Sequence, residues 1–289
     1  MLVYNTQTHR KETFTPIDEG KVRMYVCGPT VYDQIHIGNA RTFLSFDVIR
    51  RYLMHAGYEV TFAQNLTDVD DKIINRALEQ GRTAQEVAEE YSSAFIEQMH
   101  RFNILDPDIR PRATHEINAM VEMIQSLIDQ GFAYAVPSGV YFSVRADHNY
   151  GVLSGRDLDQ LRAGERVEVN TEKRDPFDFA LWKAAKPGEP SWPSPWGEGR
   201  PGWHSECCAM IHRYLGTPID ITAVGLISCF RIMKTKRLRQ AAAGMSLWQT
   251  IGCMRACFAW RARRCPSPWA TSIRSKKCWI PTQQMRSDF

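Results

Sequence analysis

The sequence predicts an α/β protein built on a doubly wound parallel sheet. Three observations predict it. Residues 22–27, Val-Arg-Met-Tyr-Val-Cys, alternate in the strand manner and run into the turn signal Gly28-Pro29. Apolar residues then recur at helical spacing at positions 40, 43, 44, 48, 49, 52, 53 and 56. Beyond Gly57, which closes that helix, residues 58–64 alternate again. Strand, helix, strand in this order is the pattern of a crossover between parallel neighbours.

The first helix sets Arg50, Arg51 and His55 opposite its apolar face, as solvent-facing groups. Asp68, Asp70 and Asp71 precede a helix at 72–80, where carboxylates favour the positive end of the dipole. Thr83 and Glu86 form a capping box ahead of a helix carrying Val87, Tyr91, Phe95 and Met99. A further helix starts at Thr114, puts Ile117, Met120, Val121, Ile124, Leu127 and Ile128 on one face, and stops at Gly131. Between Phe132 and Trp203 short strands, Gly-Pro turns and Trp-Pro pairs take over, which predicts an insertion at about 132–202 between two halves of the sheet.

A chain of 289 residues with 44% apolar and 24% charged content can bury a core, and is neither disordered nor collagen-like. Residues 1–14 mix Arg10, Lys11 and Glu12 with no apolar run, unlike a signal peptide. The uncharged window between Arg239 and Arg255 is too short and too polar to span a bilayer. The expectation is a cytoplasmic protein with no membrane partner, its eight cysteines serving as thiols or metal ligands. The net charge of +4 hides a break: from residue 222 onward thirteen Lys/Arg face a single acidic residue, Asp288.

His36-Ile-Gly-Asn39 sits where the loop after the first strand meets the following helix, the ligand end of a doubly wound sheet. A helix N-terminus there offers N–H groups and positive potential to a phosphate, Gly38 permits close approach, and His36 can donate. The residues alone equally allow a helix cap with a solvated histidine. Cys27 and Cys207 read either as buried small apolar residues or as metal ligands. Thr67 reads as a helix cap or pocket residue, and Trp203 as core or pocket.

Taken together, Tyr25-Val-Cys-Gly-Pro-Thr-Val-Tyr32, His36-Ile-Gly-Asn39, Asn65-Leu-Thr-Asp-Val-Asp-Asp-Lys72 and Trp192-Pro-Ser-Pro-Trp-Gly-Glu-Gly-Arg-Pro-Gly-Trp-His-Ser-Glu-Cys207 resemble the cysteinyl-tRNA synthetase family. The resemblance runs from about residue 1 to Ile221. It implies a class I aminoacyl-tRNA synthetase: a Rossmann-type catalytic domain with an insertion, activating cysteine with ATP and magnesium and passing it to cysteine tRNA. His36, Gly38 and Asn39 then match the ATP-binding "HIGH" signature, with Asn39 in place of its last histidine, and His36 and Asn39 are its catalytic members. By the same resemblance Cys27 and Cys207 are two of four zinc ligands, the other two being a histidine and a glutamate downstream, and Thr67 and Trp203 line the cysteine pocket. Such a zinc ion prefers a thiolate to the hydroxyl of serine, which gives discrimination without an editing site. His204 and Glu206 stay open between pocket and helix-start roles. A monomer is expected. Alternatives are a paralogous ligase joining cysteine to an amino-sugar inositol, and a non-catalytic zinc- or RNA-binding fragment.

After Ile221 the resemblance implies a glycine-rich strand end, a second metal-ligand cluster and a lysine-bearing "KMSKS" loop, and none stands in the sequence. A reading shifted by one base, with synonymous codons chosen freely, allows H-G-G-G-x-D-L-M-F-P-H-H-E-N-E across 222–236 and E-K-M-S-K-S-L-G-N across 263–271. Some steps leave no choice: Met233 before Lys234 forces Glu, and Trp269 before Ala270 forces Gly. The expectation is therefore a catalytic domain over 1–221, an out-of-frame tail over 222–289 without native structure, and an impaired or inactive chain. Ile232 and Lys236 stand where the histidine and glutamate ligands belong. A basic nucleic-acid-binding tail is the competing reading of the same charge excess.

Overall fold

The computed structural model describes residues 2–5, 10–147, 150 and 171–223. Ile232, Lys236 and the remainder of the tail lie outside the described residues. A hairpin of β1 (Leu2–Asn5) and β2 (Arg10–Thr13) leads into β3 (Lys21–Val26). Then come α1 (Ile37–His55), β4 (Glu59–Gln64), α2 (Asp71–Gln80), α3 (Ala84–Arg101) and α4 (Ile117–Asp129). The strands β5 (Ala133–Val136), β6 (Gly139–Phe142), β7 (Phe179–Ala184) and β8 (Gly199–Pro201) precede α5 (Trp203–Tyr214) and β9 (Ile221–Ala223).

A three-stranded parallel sheet, in the order β4-β3-β9, forms the floor of the molecule. The alternation of β3 divides two cores between its faces. Val22, Met24 and Val26 pack with Phe43, Phe46, Leu53, Ile73, Val87 and Phe95. Tyr25 and Cys27 pack with Met120, Ile124, Leu127, Phe142, Trp182, Cys207 and Met210 on the other side. Both faces of a parallel sheet are thus covered, as burial of its apolar strands requires. The outer edge of β4 is closed by a connecting segment: Gln64 N–H donates to the Ile109 carbonyl and Leu66 N–H to that of Pro111. At the other side β9 contributes three described residues, and Asp220 beside it is buried, its carboxylate accepting Ile17 N–H at 2.6 Å and Arg23 N–H at 2.8 Å.

The stretch from residue 133 to residue 201 holds an antiparallel sheet in the order β5-β6-β7-β8. The Trp-Pro string packs onto it: Trp192 pairs with Gly199 through two backbone hydrogen bonds, and the Trp182 and Trp196 rings meet edge to face at 6.2 Å. Gly202, just before α5, lies so close to β7 that a Cβ there would sit 2.1 Å from the Ala180 carbonyl oxygen. Asp71, first residue of α2, receives hydrogen bonds from Lys183 on β7 and Arg200 on β8, and so pins the two sheets together.

The described structure corrects two local expectations. In α1 the inward stripe is Ala40, Phe43, Phe46, Asp47, Arg50 and Leu53, while Leu44, Val48 and Tyr52 are exposed. Arg50 is buried because the 103–109 segment supplies its partners: its guanidinium donates to the Asp106 carbonyl at 2.6 Å and to Asp108 at 3.0 Å, and lies 5.0 Å from the centre of the Phe62 ring. The helix expected from Thr114 begins at Ile117, because a short 3₁₀ turn, Ala113–His115, intervenes and Asp68 draws both the Thr114 N–H and hydroxyl.

Candidate functional site

The parallel strands β3 and β4 pack against α5 near their ends and lead directly into the candidate site residues. Cys27 follows β3 directly, Asn65 and Thr67 follow β4, and Glu206 and Cys207 lie in the first two turns of α5. Cys27 and Cys207, 180 positions apart in sequence, bring their sulfurs to 3.4 Å, with both residues buried. Their contact separates the two thiols chemically. The hydrogen bond between them, reinforced by burial, pushes Cys27 up, while the same bond, with the nearby Tyr25 hydroxyl, brings Cys207 down. Cys207 is therefore the sulfur that more readily carries negative charge.

A polar chain runs beside the sulfurs. The Asn65 side chain, itself fully buried, accepts the Tyr25 hydroxyl and the Gly28 N–H, each at 2.9 Å. Since Gly28 N–H can only donate, the atom facing it must be the amide oxygen, which fixes the orientation of the group. The Asn65 nitrogen then donates to Thr67 Oγ1 at 3.2 Å, and the Thr67 hydroxyl donates to Glu206 Oε2 at 2.7 Å. Burial holds the Glu206 carboxyl well above the usual carboxylate range; the Thr67 hydroxyl opposes this, and the charges of Cys207, Asp70 and Asp68 add to it. Gly28 is required here: a Cβ would fall 1.6 Å from the Asn65 carbonyl oxygen.

The start of α1 stands at the same end of β3. His36 is its N-cap, and His36 Nδ1 accepts the Gly38 N–H at 3.1 Å. A neutral imidazole accepting at Nδ1 carries its hydrogen on Nε2, which leaves that nitrogen as the donor of an exposed side chain. Gly38 and Asn39 are half-buried in the first turn. The Gly38 amide is thus used by His36 itself rather than offered to an anion. Trp203, half-buried, opens α5 with its ring 5.7 Å from that of His204.

The three aspartates divide. Asp70 caps α2 by accepting Lys72 N–H, Asp68 holds Thr114, and Asp71 makes the bridge to Lys183 and Arg200. All three duties are structural. Sequence reasoning missed Asn65 and Tyr25 as members of the site and left Glu206 open. Their one signal was position: a polar side chain at the end of an otherwise apolar buried strand must find partners.

A tetrahedral zinc ion with bonds of about 2.3 Å sets two thiolate sulfurs about 3.8 Å apart. The observed 3.4 Å needs a movement of only a few tenths of an ångström. The pair therefore fits as two ligands of such an ion, and among the described residues no third Cys, His, Asp or Glu joins them in a metal-binding group.

Residues 13–239 match the family model of the class I tRNA synthetase (C) catalytic domain, a match that continues past Ile221. A cysteine–tRNA ligase of Nitratidesulfovibrio vulgaris Hildenborough is 59% identical over 226 residues, covering 78% of this chain and 47% of that protein. One from Clostridioides difficile strain 630 is 55% identical over 225 residues, covering 78% and 48%. The chain thus spans about half the length of the curated relatives it matches. A Mycobacterium tuberculosis methionyl-tRNA synthetase, solved with methionyl-adenylate, shares the fold at a TM-score of 0.52 and 14% identity, over 82% of this chain and 55% of that one. By its sequence, the chain belongs to the class I tRNA synthetase (C) catalytic-domain family.

Proposed function

We propose that the chain carries the cysteine-recognising half of a cysteine–tRNA ligase, whose reaction joins the cysteine carboxylate to the α-phosphate of ATP with release of pyrophosphate, and then passes the cysteinyl group to the terminal adenosine of its tRNA with release of AMP. The juxtaposition of Cys27 and Cys207 at the end of the parallel sheet carries this reading. Zinc held by these two residues would supply a thiophilic centre that selects the cysteine side chain. In this reading Thr67, bonded to Glu206, and Trp203, four residues before Cys207 on α5, hold the amino acid. His36 presents Nε2–H at the head of α1, where Gly38, its own amide taken by His36, permits close approach and the Asn39 side chain can donate, so that the triphosphate docks against the positive end of the helix. Holding the two reactants at one end of one sheet is the main contribution of this half, since adenylation is chiefly a matter of positioning and charge stabilisation.

The second part of the reading concerns the tail. With Ile232 and Lys236 in place of the further ligands, and with no lysine loop in frame, zinc is held weakly and the pyrophosphate transition state loses a preorganised charge. Cysteine-dependent ATP–pyrophosphate exchange tests both parts. The chain as written should show no exchange, whereas a version with the reading frame restored near codon 222 should exchange, and should lose exchange again on Cys27→Ser or Cys207→Ser. Exchange by the unrestored chain would overturn the impairment. Its absence from the restored chain would overturn the function. Addition of cysteine tRNA to the restored chain then tests the transfer step.

A further inference from the structure

The two sulfurs belong to elements that share no covalent proximity, so their separation must be set by something that touches both. Cys27 sits on the end of β3 and Cys207 in α5. One side chain reaches to both. Asn65 accepts from Tyr25, two residues before Cys27, and from the backbone of Gly28, one residue after it. Through Thr67 it is linked to Glu206, the residue immediately before Cys207. Its amide oxygen also lies 3.9 Å from Cys207 Sγ. The amide is fully buried, and every one of these contacts is within hydrogen-bonding reach of a defined donor or acceptor.

We infer that Asn65 is the positioning residue of the thiol pair: its carboxamide brackets Cys27 on one side, and anchors the start of α5 on the other, so that the sulfurs are held at ligand spacing before any ion arrives. The inference rests on the reading of Cys27 and Cys207 as paired ligands and deepens it. Tyr25 and Gly28 fix the backbone that carries the first sulfur, and the Thr67–Glu206 link fixes the rotation of the helix that carries the second. Removing the amide leaves two buried donors, the Tyr25 hydroxyl and Gly28 N–H, without their acceptor, and frees each cysteine to move apart. Partners that orient ligands without touching the ion typically set metal affinity by about 10- to 100-fold.

The test uses the full chain without metal and a trivalent arsenical, phenylarsine oxide, which binds tightly only where two thiols can reach one arsenic atom. Binding is counted above that of Cys27→Ser, which removes the contribution of the remaining cysteines. Asn65→Ala should weaken this pair-specific binding by about 10- to 100-fold. Tyr25→Phe, which removes one donor and keeps the ring in the core, should cause a smaller drop in the same direction. Asp71→Asn, which weakens the tie of α2 to Lys183 and Arg200 without touching the amide or β3, should leave the arsenical affinity at the native value, so that a general loss of stability is separated from loss of positioning. Native-like arsenical binding by both Asn65→Ala and Tyr25→Phe would overturn the inference, as would failure of the native chain to bind the arsenical above Cys27→Ser. Cobalt(II) added alone to the native chain reports on the parent reading separately. An arsenical bound by the native pair and lost in Asn65→Ala supports the positioning role even if no thiolate-to-cobalt absorption develops, a result that would count against the metal reading instead.

Discussion

Single atoms decide the geometry of the site. At Gly28 the missing Cβ lets β3 run against the Asn65 backbone at a distance no side chain permits. Gly28→Ala is therefore expected to cost about 3 kcal/mol or more, because the clash is with backbone rather than with a flexible side-chain end. Denaturant unfolding followed by circular dichroism checks it. Tyr134 is a second such position. Its hydroxyl donates to Asp178 at 2.6 Å and accepts the Arg174 N–H, and burial followed by the Asp178 hydrogen bond pushes its pKa up to about 12. An ordinary tyrosine ionises near about 10. The folded state thus holds this proton more tightly, so the stabilisation is complete below about 10 and is lost as pH rises through about 12. An alkaline titration of phenolate absorbance should show a late-ionising component to which Tyr25 and Tyr214 also contribute, and Tyr134→Phe should reduce it by one tyrosine. Little of this was legible in the sequence. Asn65 finds its partners 37 and 40 positions away, and no local pattern encodes them.

Elements were more legible where their determinants are local. The Thr83–Glu86 capping box forms as the spacing requires, with Thr83 Oγ1 accepting the Glu86 N–H and Glu86 accepting the Thr83 N–H. Cys27 and His36 are likewise placed by one strand and one helix, so their common end of the sheet followed from the strand–helix–strand pattern. The face of α1 did not, because Asp47 and Arg50 turn inward for partners in the 103–109 segment that periodicity alone does not see. Strand β9 is the opposite extreme. In its three described residues much of the anchorage comes from the Asp220 carboxylate next to it. Asp220→Asn keeps the size but makes one of the two accepting atoms a donor. It is expected to cost about 1–3 kcal/mol, with hydrogen exchange accelerated first in the β3 amides, Arg23 above all.

At the scale of the whole molecule two sheets with separate hydrogen-bond networks share one apolar core and are further joined by charged groups. Asp71 spans them through Lys183 and Arg200. Burial acts to raise its carboxyl, but the Lys183 hydrogen bond and the charges of Lys183 and Arg200 outweigh it and bring the carboxyl below the ordinary value. A lowered carboxylate contributes stability that is present above its unfolded pKa of about 4 and disappears as pH falls through the lower folded value. Asp71→Asn should therefore cost about 1 kcal/mol at neutral pH, a modest figure because the side chain is half exposed. It should also remove part of the loss of stability seen in acid below about pH 4, which thermal melts across that range would show. The parallel sheet was foreseeable from its strands, and the contact between sheets was not, since an aspartate at a helix start reads equally well as a dipole partner.

Leu44, Val48 and Tyr52 form an outward ladder along α1 in the native fold. Folded protein should accordingly light up an environment-sensitive dye such as anilinonaphthalene sulfonate before any heating, so a dye-based melting curve would start from a bright baseline and fall short of a clean transition. Replacing the three by Gln, Thr and Gln should quench that starting signal while tryptophan fluorescence stays put.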